Sequence, residues 1–300
     1  MHLSLARKER RLREFVRHFE SCCASSDPGR GHERLLATYP RHSKAPEEGL
    51  FYILLTTHFD SVALSELFLT KFTWEQLRTM TDSALKKLCD AFFREVSFTG
   101  PLQIGDHRKH FKCLSTVKKV TATVRLLLDY RHAMESHSSQ AGFFEIGRQD
   151  VSFDLLYTRM KDAMPCFSPR LPRFDHLERL SRTHGFYCTP ERFYAEDSTG
   201  PLFGLTLVVL GVRLGKDNGT RKADIERDFP KMWDQSVPAE YRILQHARFR
   251  IIIANMERWF IDQVRQILPA TLKEDKALVF DLESCLCNWQ KGGGWHHGSC

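Results

Sequence analysis

The sequence predicts a mainly α-helical protein, and three observations support this. Apolar residues recur every three or four positions along most of the chain, which is the spacing of one face of an α-helix. The alternation of apolar and polar residues that marks half-buried strands is almost absent. The 300 residues, 42% hydrophobic and 27% charged, are enough to bury a large core. We therefore expect one large helical domain or two subdomains that share a site.

The composition limits the class of protein. No apolar run approaches the roughly 18 residues that a membrane span needs, and the N-terminal residues lack the apolar segment of a secretory signal. The nine cysteines are scattered and odd in number, which favours free thiols in a reducing cytoplasm. The net charge of +7 permits a nucleic-acid partner without requiring one. We expect a cytoplasmic protein with no membrane association and no obligate protein partner.

Changes in composition divide the chain into three predicted domains. Residues 1–48 hold a basic helix over residues 4–23, followed by a Pro-, Gly- and Ser-rich linker or arm over residues 25–48. Residues 49–215 form the helical core, and residues 216–300 form a C-terminal helical region that completes the pocket.

The core opens with the apolar stretch Gly49–Leu69, which predicts one buried helix. His58 and Asp60 are polar groups among apolar neighbours, and buried polar groups need partners. They therefore belong either to a satisfied structural network or to the wall of a pocket. Thr73–Gln76 has the pattern of a capping box, and Thr81 begins a similar pattern, so two short helices are expected next.

A basic face follows the predicted loop of residues 97–107. The stretch Arg108–Met134 has helical apolar spacing, and Asp129 is the one acidic residue among its basic side chains up to Arg131. Lysines and arginines clustered on one face neutralise DNA phosphates, although a solvated charged face is an equally good interpretation. The candidate DNA-binding residues are Arg108, Lys109, Lys112, Lys118, Lys119 and Arg125.

The stretch Pro165–Leu205 carries the main site prediction. Its prolines end before Phe174, so a helix is expected to begin near there, with Asp175 in the first turn. Unpaired backbone N–H groups and the helix dipole favour a carboxylate at that position. The Gly-Pro turn of Ser198–Gly204 lets backbone approach a ligand closely. Two interpretations of Asp175 are therefore open: it is the centre of a reaction site, or it only caps a helix.

Helices are also predicted over Asp150–Met164, Ala239–Leu268 and Ala277–Lys291. The loop Ser136–Gln149 precedes the first of them, and an exposed segment after Gly211 precedes the second.

Metal and cofactor sites are not predicted. A zinc site would have to use the C-terminal cysteines and histidines, which lack the usual ligand spacings. Glycine-rich phosphate loops and the common hydrolase motifs are absent. The residues weighed for zinc are Cys285, Cys287, His296, His297 and Cys300.

The sequence resembles the helix-hairpin-helix DNA glycosylases, in which a catalytic aspartate at the start of a helix is followed by an arginine about four residues later. Asp175 and Arg179 have this spacing here. That resemblance implies a helical glycosylase-like architecture with the site between two helical subdomains. The Leu-Pro-Gly-x-Gly hairpin of those enzymes is replaced here by Ala163–Leu171. How the duplex is gripped is therefore left open.

A closer resemblance is to the alpha-glutamyl/putrescinyl thymine pyrophosphorylase family, phage and bacterial proteins related to DNA glycosylases. Three segments carry it, Arg173–Leu180, Thr199–Leu205 and Asp281–Lys291, with a weaker match at Phe68–Thr81. Some bacterial members look like antiphage glycosylases that remove glucosylated hydroxymethylcytosine from phage DNA, whereas phage members modify thymine.

The resemblance implies an enzyme that flips a hypermodified base out of double-stranded phage DNA and excises it. Asp175 is the candidate catalytic residue, because an ionised carboxylate stabilises the positive charge that develops on the sugar. Without a lysine clearly placed to form a Schiff base, we expect monofunctional excision that leaves an abasic site. The candidate substrate-binding residues are His58, Asp60, Arg173, Arg179, Thr199, Gly200, Glu283, Asn288 and Lys291.

Two other functions stay open. One is a transferase that displaces pyrophosphate from an activated hydroxymethyl-uracil in DNA. The other is a non-catalytic DNA-binding protein, which would be favoured if Asp175 lay buried in a closed ion pair.

Overall fold

The computed structural model describes residues 5–24, 32–105, 108–211 and 249–291. In these ranges it contains 15 α-helices and no β-strand, which confirms the mainly α class. The predicted exposed segment after Gly211 and the first ten residues of the helix predicted from Ala239 lie outside the described residues. The helices are α1 (Leu5–Ala24), α2 (His32–His42), α3 (Pro46–Phe59), α4 (Val62–Leu69), α5 (Trp74–Thr79), α6 (Asp82–Glu95), α7 (Lys109–Lys112), α8 (Thr116–Glu135), α9 (Gln140–Phe143), α10 (Phe153–Ala163), α11 (Arg170–Thr183), α12 (Gly200–Leu210), α13 (Phe249–Ile267), α14 (Ala270–Lys273) and α15 (Leu278–Lys291).

The chain divides into two compact units. The central unit is the continuous segment of residues 31–189, and the terminal unit combines residues 1–30 with residues 190–300. This division differs from the three predicted domains, because residues 31–48 belong with the core segment and residues 190–215 belong with the C-terminal region.

Helix α2 lies in a region that was predicted to be a linker, and that prediction is wrong for residues 32–42. Leu35 and Tyr39 are four residues apart, so they share one face of the helix. Both are buried in the central unit, where the Tyr39 hydroxyl lies 2.9 Å from Nε2 of His184. The proline and glycine content of the region concealed this short apolar stripe.

The single helix predicted over Gly49–Leu69 is two helices, α3 and α4. They are separated at Asp60, whose φ of 50° and ψ of 38° place it in the left-handed region that few non-glycine residues adopt. Ser61 then caps α4 by accepting a hydrogen bond from the Leu64 N–H. Because α3 is apolar on nearly all sides, its sequence gives no periodic signal that would locate the break.

The predicted caps of α5 and α6 are confirmed. The Thr73 hydroxyl accepts from the Gln76 N–H while the Gln76 side chain accepts from the Thr73 N–H, which completes a capping box. The Thr81 hydroxyl accepts from the Ala84 N–H at the start of α6.

The stretch Arg108–Met134 is broken into α7 and α8. Val117 was expected on its apolar stripe but is 71% exposed, whereas Val120 and Leu127 are buried on the face of α8. The buried face of α8 therefore begins only after Val117.

The terminal unit is built around α12, which packs against α1, α13 and α15. The predicted N-terminal helix is confirmed as α1, and Phe15, Val16 and Phe19 are its buried face. The helix predicted over Ala277–Lys291 is confirmed as α15.

Alanine in place of Gly204 is expected to lower the free energy of unfolding by about 2–4 kcal/mol. Gly204 lies within α12, and a Cβ atom there would overlap the Leu286 carbonyl oxygen of α15. A backbone oxygen cannot rotate away, so this clash outweighs the roughly 1 kcal/mol by which alanine favours a helix. Urea unfolding measures the change.

Gly200→Ala is the matched control, because its Cβ would meet the Cys287 side chain, which can rotate. We expect a smaller loss of stability for this variant. A Gly204→Ala protein as stable as the wild type would contradict the close approach of α12 and α15.

Seven cysteines of the described residues are free thiols, whereas Cys22 is disulfide-bonded, contrary to the expected free thiol. Among the described helices, none is both long and apolar enough to cross a lipid bilayer.

Candidate functional site

Helix α11 carries the predicted catalytic residue, but it begins earlier than expected. It starts at Arg170, so Asp175 is not in the first turn and that prediction is wrong. Pro172 is the third residue of the helix, where its missing N–H is not needed for a helical hydrogen bond. The prolines therefore did not delay the helix until Phe174.

Charged side chains of α11 are buried, which is unusual for a helix with so many of them. Removing a charge from water is costly unless it is paired. The partners of each buried charge therefore show whether it is paired within the protein. The buried charged residues are Arg170, Arg173, Asp175, Glu178 and Arg179.

Asp175 forms an ion pair with Arg108, with 2.9 Å between Oδ2 and Nη2. Arg108 also donates from Nε to the Thr57 carbonyl oxygen at 2.8 Å, so α3 holds the guanidinium in place. The Asp175 side chain is 11% exposed and the Arg108 side chain 10%. The pair is largely enclosed, and about a tenth of each side chain reaches the surface.

A second ion pair joins Arg179 to Asp60, with 2.7 Å between Nη2 and Oδ1. Arg179 also donates from Nη1 to the Thr56 carbonyl oxygen at 2.8 Å. Gly105 lies directly against Asp60, and its N–H donates to the Phe59 carbonyl oxygen at 3.0 Å. We call the two pairs, Asp60–Arg179 and Asp175–Arg108, the charge cluster.

Two histidines next to the charge cluster are held neutral. His176 Nδ1 lies 3.1 Å from the Thr57 hydroxyl, and His58 Nε2 lies 2.9 Å from the Thr123 hydroxyl. Burial, together with nearby arginine charge, lowers the pKa of each to about 3. At neutral pH neither imidazole carries a charge, and both belong to a hydrogen-bonded network.

The buried His176 makes the central unit sensitive to acid. Its folded-state pKa of about 3 is below the unfolded value near 6.5, so the unfolded chain takes up the proton first. Stability contributed by neutral His176 is therefore complete above pH 6.5 and falls by about 1.4 kcal/mol per pH unit below it.

The His176→Gln variant lacks this loss, so the unfolding free energies of the two proteins should converge between pH 6.5 and pH 5. Chemical unfolding at several pH values tests this. A constant difference between the two proteins would show that His176 titrates normally.

The other charges of α11 have local partners. Arg173 lies over the Tyr157 ring at 4.0 Å and donates to the Tyr157 hydroxyl at 3.2 Å. Burial alone would raise the pKa of Glu178, but His32 at 3.2 Å and Arg182 at 3.0 Å outweigh it and hold that pKa below its usual range. Arg173 and Glu178 therefore contact other side chains of the protein in the way that structural residues do.

The predicted DNA-binding residues do not share one face. Arg108 points into the charge cluster, and Lys119 donates to the Leu114 carbonyl oxygen at 2.5 Å. Lys118 and Arg125 are exposed and seven residues apart on α8, so they lie on the same side of that helix. Lys112 is half-buried. The side chain of Lys109 lies outside the described residues.

The remaining candidates belong to the terminal unit. Thr199 precedes α12, and Gly200 is its first residue, packed against Cys287 of α15. Glu283 is half-buried and Asn288 exposed on α15, and the Lys291 side chain lies outside the described residues. The turn predicted over Ser198–Gly204 is wrong from Gly200 onward, because these residues are the start of α12. Gly200 and Gly204 serve the packing of α12 against α15.

The sequence missed two contributors to the cluster, Gly105 and the pairing role of Arg108. Only the position of His176, directly after Asp175, hinted at a second polar group there.

A comparison with protein-family models identifies the class of protein. Residues 47–247 match the model for alpha-glutamyl/putrescinyl thymine pyrophosphorylase clade 3. This match spans more than half of the chain, and the chain belongs to that family. It is thereby placed among enzymes related to DNA base modification. The matched range includes the whole charge cluster and ends before α15. No curated protein and no solved structure matches the chain.

Proposed function

We propose that the protein is a monofunctional DNA N-glycosylase that excises alpha-glucosyl-hydroxymethylcytosine from phage DNA, as a defence against phage. This goes beyond membership of the family, which supports only an enzyme related to DNA base modification. The enclosed Asp175–Arg108 pair is the arrangement that was expected to favour a non-catalytic DNA-binding protein. The proposal is carried instead by the family match over the segment that contains this pair, and it requires Arg108 to leave Asp175 when DNA binds. Asp175 of this pair is a carboxylate in a largely desolvated position within the matched range.

The chemistry follows from that carboxylate. In excision the bond between C1′ and the base nitrogen breaks, and its electron pair leaves with the base. Water then adds to C1′, and the proton that water loses balances the one taken up by the released base. Positive charge develops on the sugar meanwhile, and a fixed carboxylate lowers the energy of that state.

Arg108 has two roles in this proposal. In the free protein its guanidinium pairs with Asp175 at 2.9 Å, which offsets the cost of enclosing that carboxylate. When a flipped nucleotide enters, Arg108 turns to the phosphate, an anion that guanidinium groups bind well. Asp175 is thereby exposed to the sugar. Lys118 and Arg125 on α8 contact the flanking DNA backbone.

A transferase that displaces pyrophosphate from activated hydroxymethyl-uracil is the second candidate. The pyrophosphorylase name of the family and the two arginines of the charge cluster favour it. Arginine suits a pyrophosphate group because its planar fork binds two oxygens at once.

Product analysis distinguishes the candidates. The protein is incubated with phage DNA carrying glucosylated hydroxymethylcytosine and with the same DNA lacking glucose, and released bases are identified by mass. We expect free glucosylated base, abasic sites, and no protein–DNA adduct trapped by borohydride.

DNA carrying 5-pyrophosphomethyl-uracil, incubated with an amine, tests the transferase. Pyrophosphate and a modified nucleoside in the digest, without free base, would replace the glycosylase with that function. Salt-sensitive DNA binding with no product from either DNA would leave a non-catalytic binding protein.

A further inference from the structure

The terminal unit holds a cluster of metal-ligating side chains that the proposed function does not use. His18 and Cys22 are four residues apart on α1 and therefore lie on the same side of that helix. Cys285 of α15 completes the group. One donor atom from each residue lies within 4.8 Å of the other two.

The spacing fits a tetrahedral zinc ion. Zinc–sulfur bonds of about 2.3 Å and zinc–nitrogen bonds of about 2.0–2.1 Å place neighbouring donor atoms roughly 3.5–3.8 Å apart. His18 Nε2 and Cys22 Sγ are 3.6 Å apart, which is within that range. The other pairs must close by no more than about 1 Å to reach it.

The surroundings hold the donors in place. Cys22 and Cys285 are each 2% exposed, and the His18 ring packs against Trp289 with 5.2 Å between the ring centres. The donors project from two packed helices of the same unit, α1 and α15. Two sulfurs and one imidazole nitrogen select zinc over magnesium or calcium, which prefer oxygen ligands.

We propose that His18, Cys22 and Cys285 form a Zn²⁺ site that fills when Cys22 is reduced. In the structure Cys22 is disulfide-bonded, and its sulfur cannot then bind a metal as a thiolate. A dithiol reductant transfers two electrons and two protons to that disulfide, is itself oxidised to a disulfide, and restores the Cys22 thiol. Zinc then displaces the thiol protons of Cys22 and Cys285.

Cys285 was weighed for zinc from the sequence, but His18 and Cys22 were not, because the three residues follow no zinc motif. The two ligands on α1 are spaced by a helical turn, and Cys285 lies near the other end of the chain. Three protein ligands leave a fourth position, which water fills in open zinc sites.

Cobalt binding tests the site in the full-length protein. After reduction with a phosphine, Co²⁺ is titrated in and the absorption of tetrahedral cobalt is recorded together with the thiolate-to-cobalt charge-transfer band. We expect about one Co²⁺ per chain, displaced by Zn²⁺. Protein with the Cys22 disulfide intact should lack the full two-thiolate band.

Variants assign the ligands, and circular dichroism confirms that each one is folded. Cys285→Ser should lower the charge-transfer band to about half, since one of two thiolates is lost. His18→Gln should keep the charge-transfer band but lower the affinity for Co²⁺. If Cys285→Ser does not fold, the affinity of His18→Gln alone tests the site. Cys113→Ser removes an exposed free thiol and should change nothing.

The site is ruled out if reduced wild-type protein binds neither Co²⁺ nor Zn²⁺. The site is also ruled out if Cys285→Ser and His18→Gln both bind Co²⁺ with the spectrum and affinity of the wild type. The same holds if oxidised protein gives the same cobalt spectrum as reduced protein.

Discussion

Asp175→Asn is expected to lower the rate of base excision by about 10²–10³-fold, the size of effect seen when one charge-stabilising group is removed from an active site. Asparagine has nearly the shape of aspartate but no charge, so it cannot stabilise a cationic sugar. The rate of base release from glucosylated phage DNA is the measurement. DNA binding should persist, because Lys118 and Arg125 are unchanged.

The same substitution removes the partner of Arg108, so its effect on folding must be separated from its effect on catalysis. Leaving one partner of a buried ion pair alone costs about 3–5 kcal/mol, and less here because each side chain is about a tenth exposed. The double variant Arg108→Gln/Asp175→Asn removes both charges. It should recover stability while remaining inactive.

Asp162→Asn is the matched control, because Asp162 is an exposed acid of the same unit on α10. It should leave both rate and stability near those of the wild type. If Asp175→Asn were to excise base at the wild-type rate, Asp175 would have a structural role only, and the proposed mechanism would fail with it.

Gly105→Ala is expected to lower the free energy of unfolding by about 3 kcal/mol or more, the range of overpacking and of a disturbed buried ion pair. A Cβ atom at this position would overlap both the carbonyl oxygen and the carboxylate of Asp60. Asp60 is held on its other side by Arg179 and by its own left-handed backbone, so it has little room to shift.

Gly147→Ala provides the comparison. Gly147 has a φ of +88° but no atom within 4 Å of an added Cβ, so only backbone strain of about 1–2 kcal/mol is expected. Thermal or urea unfolding of the two variants separates steric overlap from backbone strain. A Gly105→Ala protein no less stable than Gly147→Ala would show that the loop moves freely away from Asp60.

Regular helices with strong local signals were predictable. The caps at Thr73 and Thr81 depend on residues three positions apart, and the apolar face of α1 depends on spacing within one helix. Such local interactions are visible in a sequence because both partners lie within one or two turns.

Helix breaks were not predictable where apolar residues surround the helix. The sequence from Gly49 to Leu69 is hydrophobic on nearly all sides, so the left-handed break at Asp60 leaves no trace in its periodicity. At α2 a helix was missed rather than a break. Its short apolar stripe of Leu35 and Tyr39 lies in a region whose proline and glycine content predicted a linker. In both places packing against other helices decided the outcome.

The site was predictable only as a set of residue types. Asp175, Arg179 and Asp60 were named from the sequence, but their pairing was not, because Arg108 and Asp175 are distant in the chain and Gly105 carries no charge to reveal it. A basic segment predicts DNA contact equally well whether its first arginine points outward or inward. Contacts of this kind arise only from the tertiary fold.

The divided terminal unit has a consequence for synthesis on the ribosome. Helix α1 is translated before the central unit, whereas α12, α13 and α15, against which it packs, are translated after it. At about 5–20 residues per second this delay is on the order of ten seconds. During this delay Phe15, Val16 and Phe19 cannot pack against the helices that bury them in the folded protein. The nascent chain therefore exposes an apolar helix face of the kind that makes chaperones necessary.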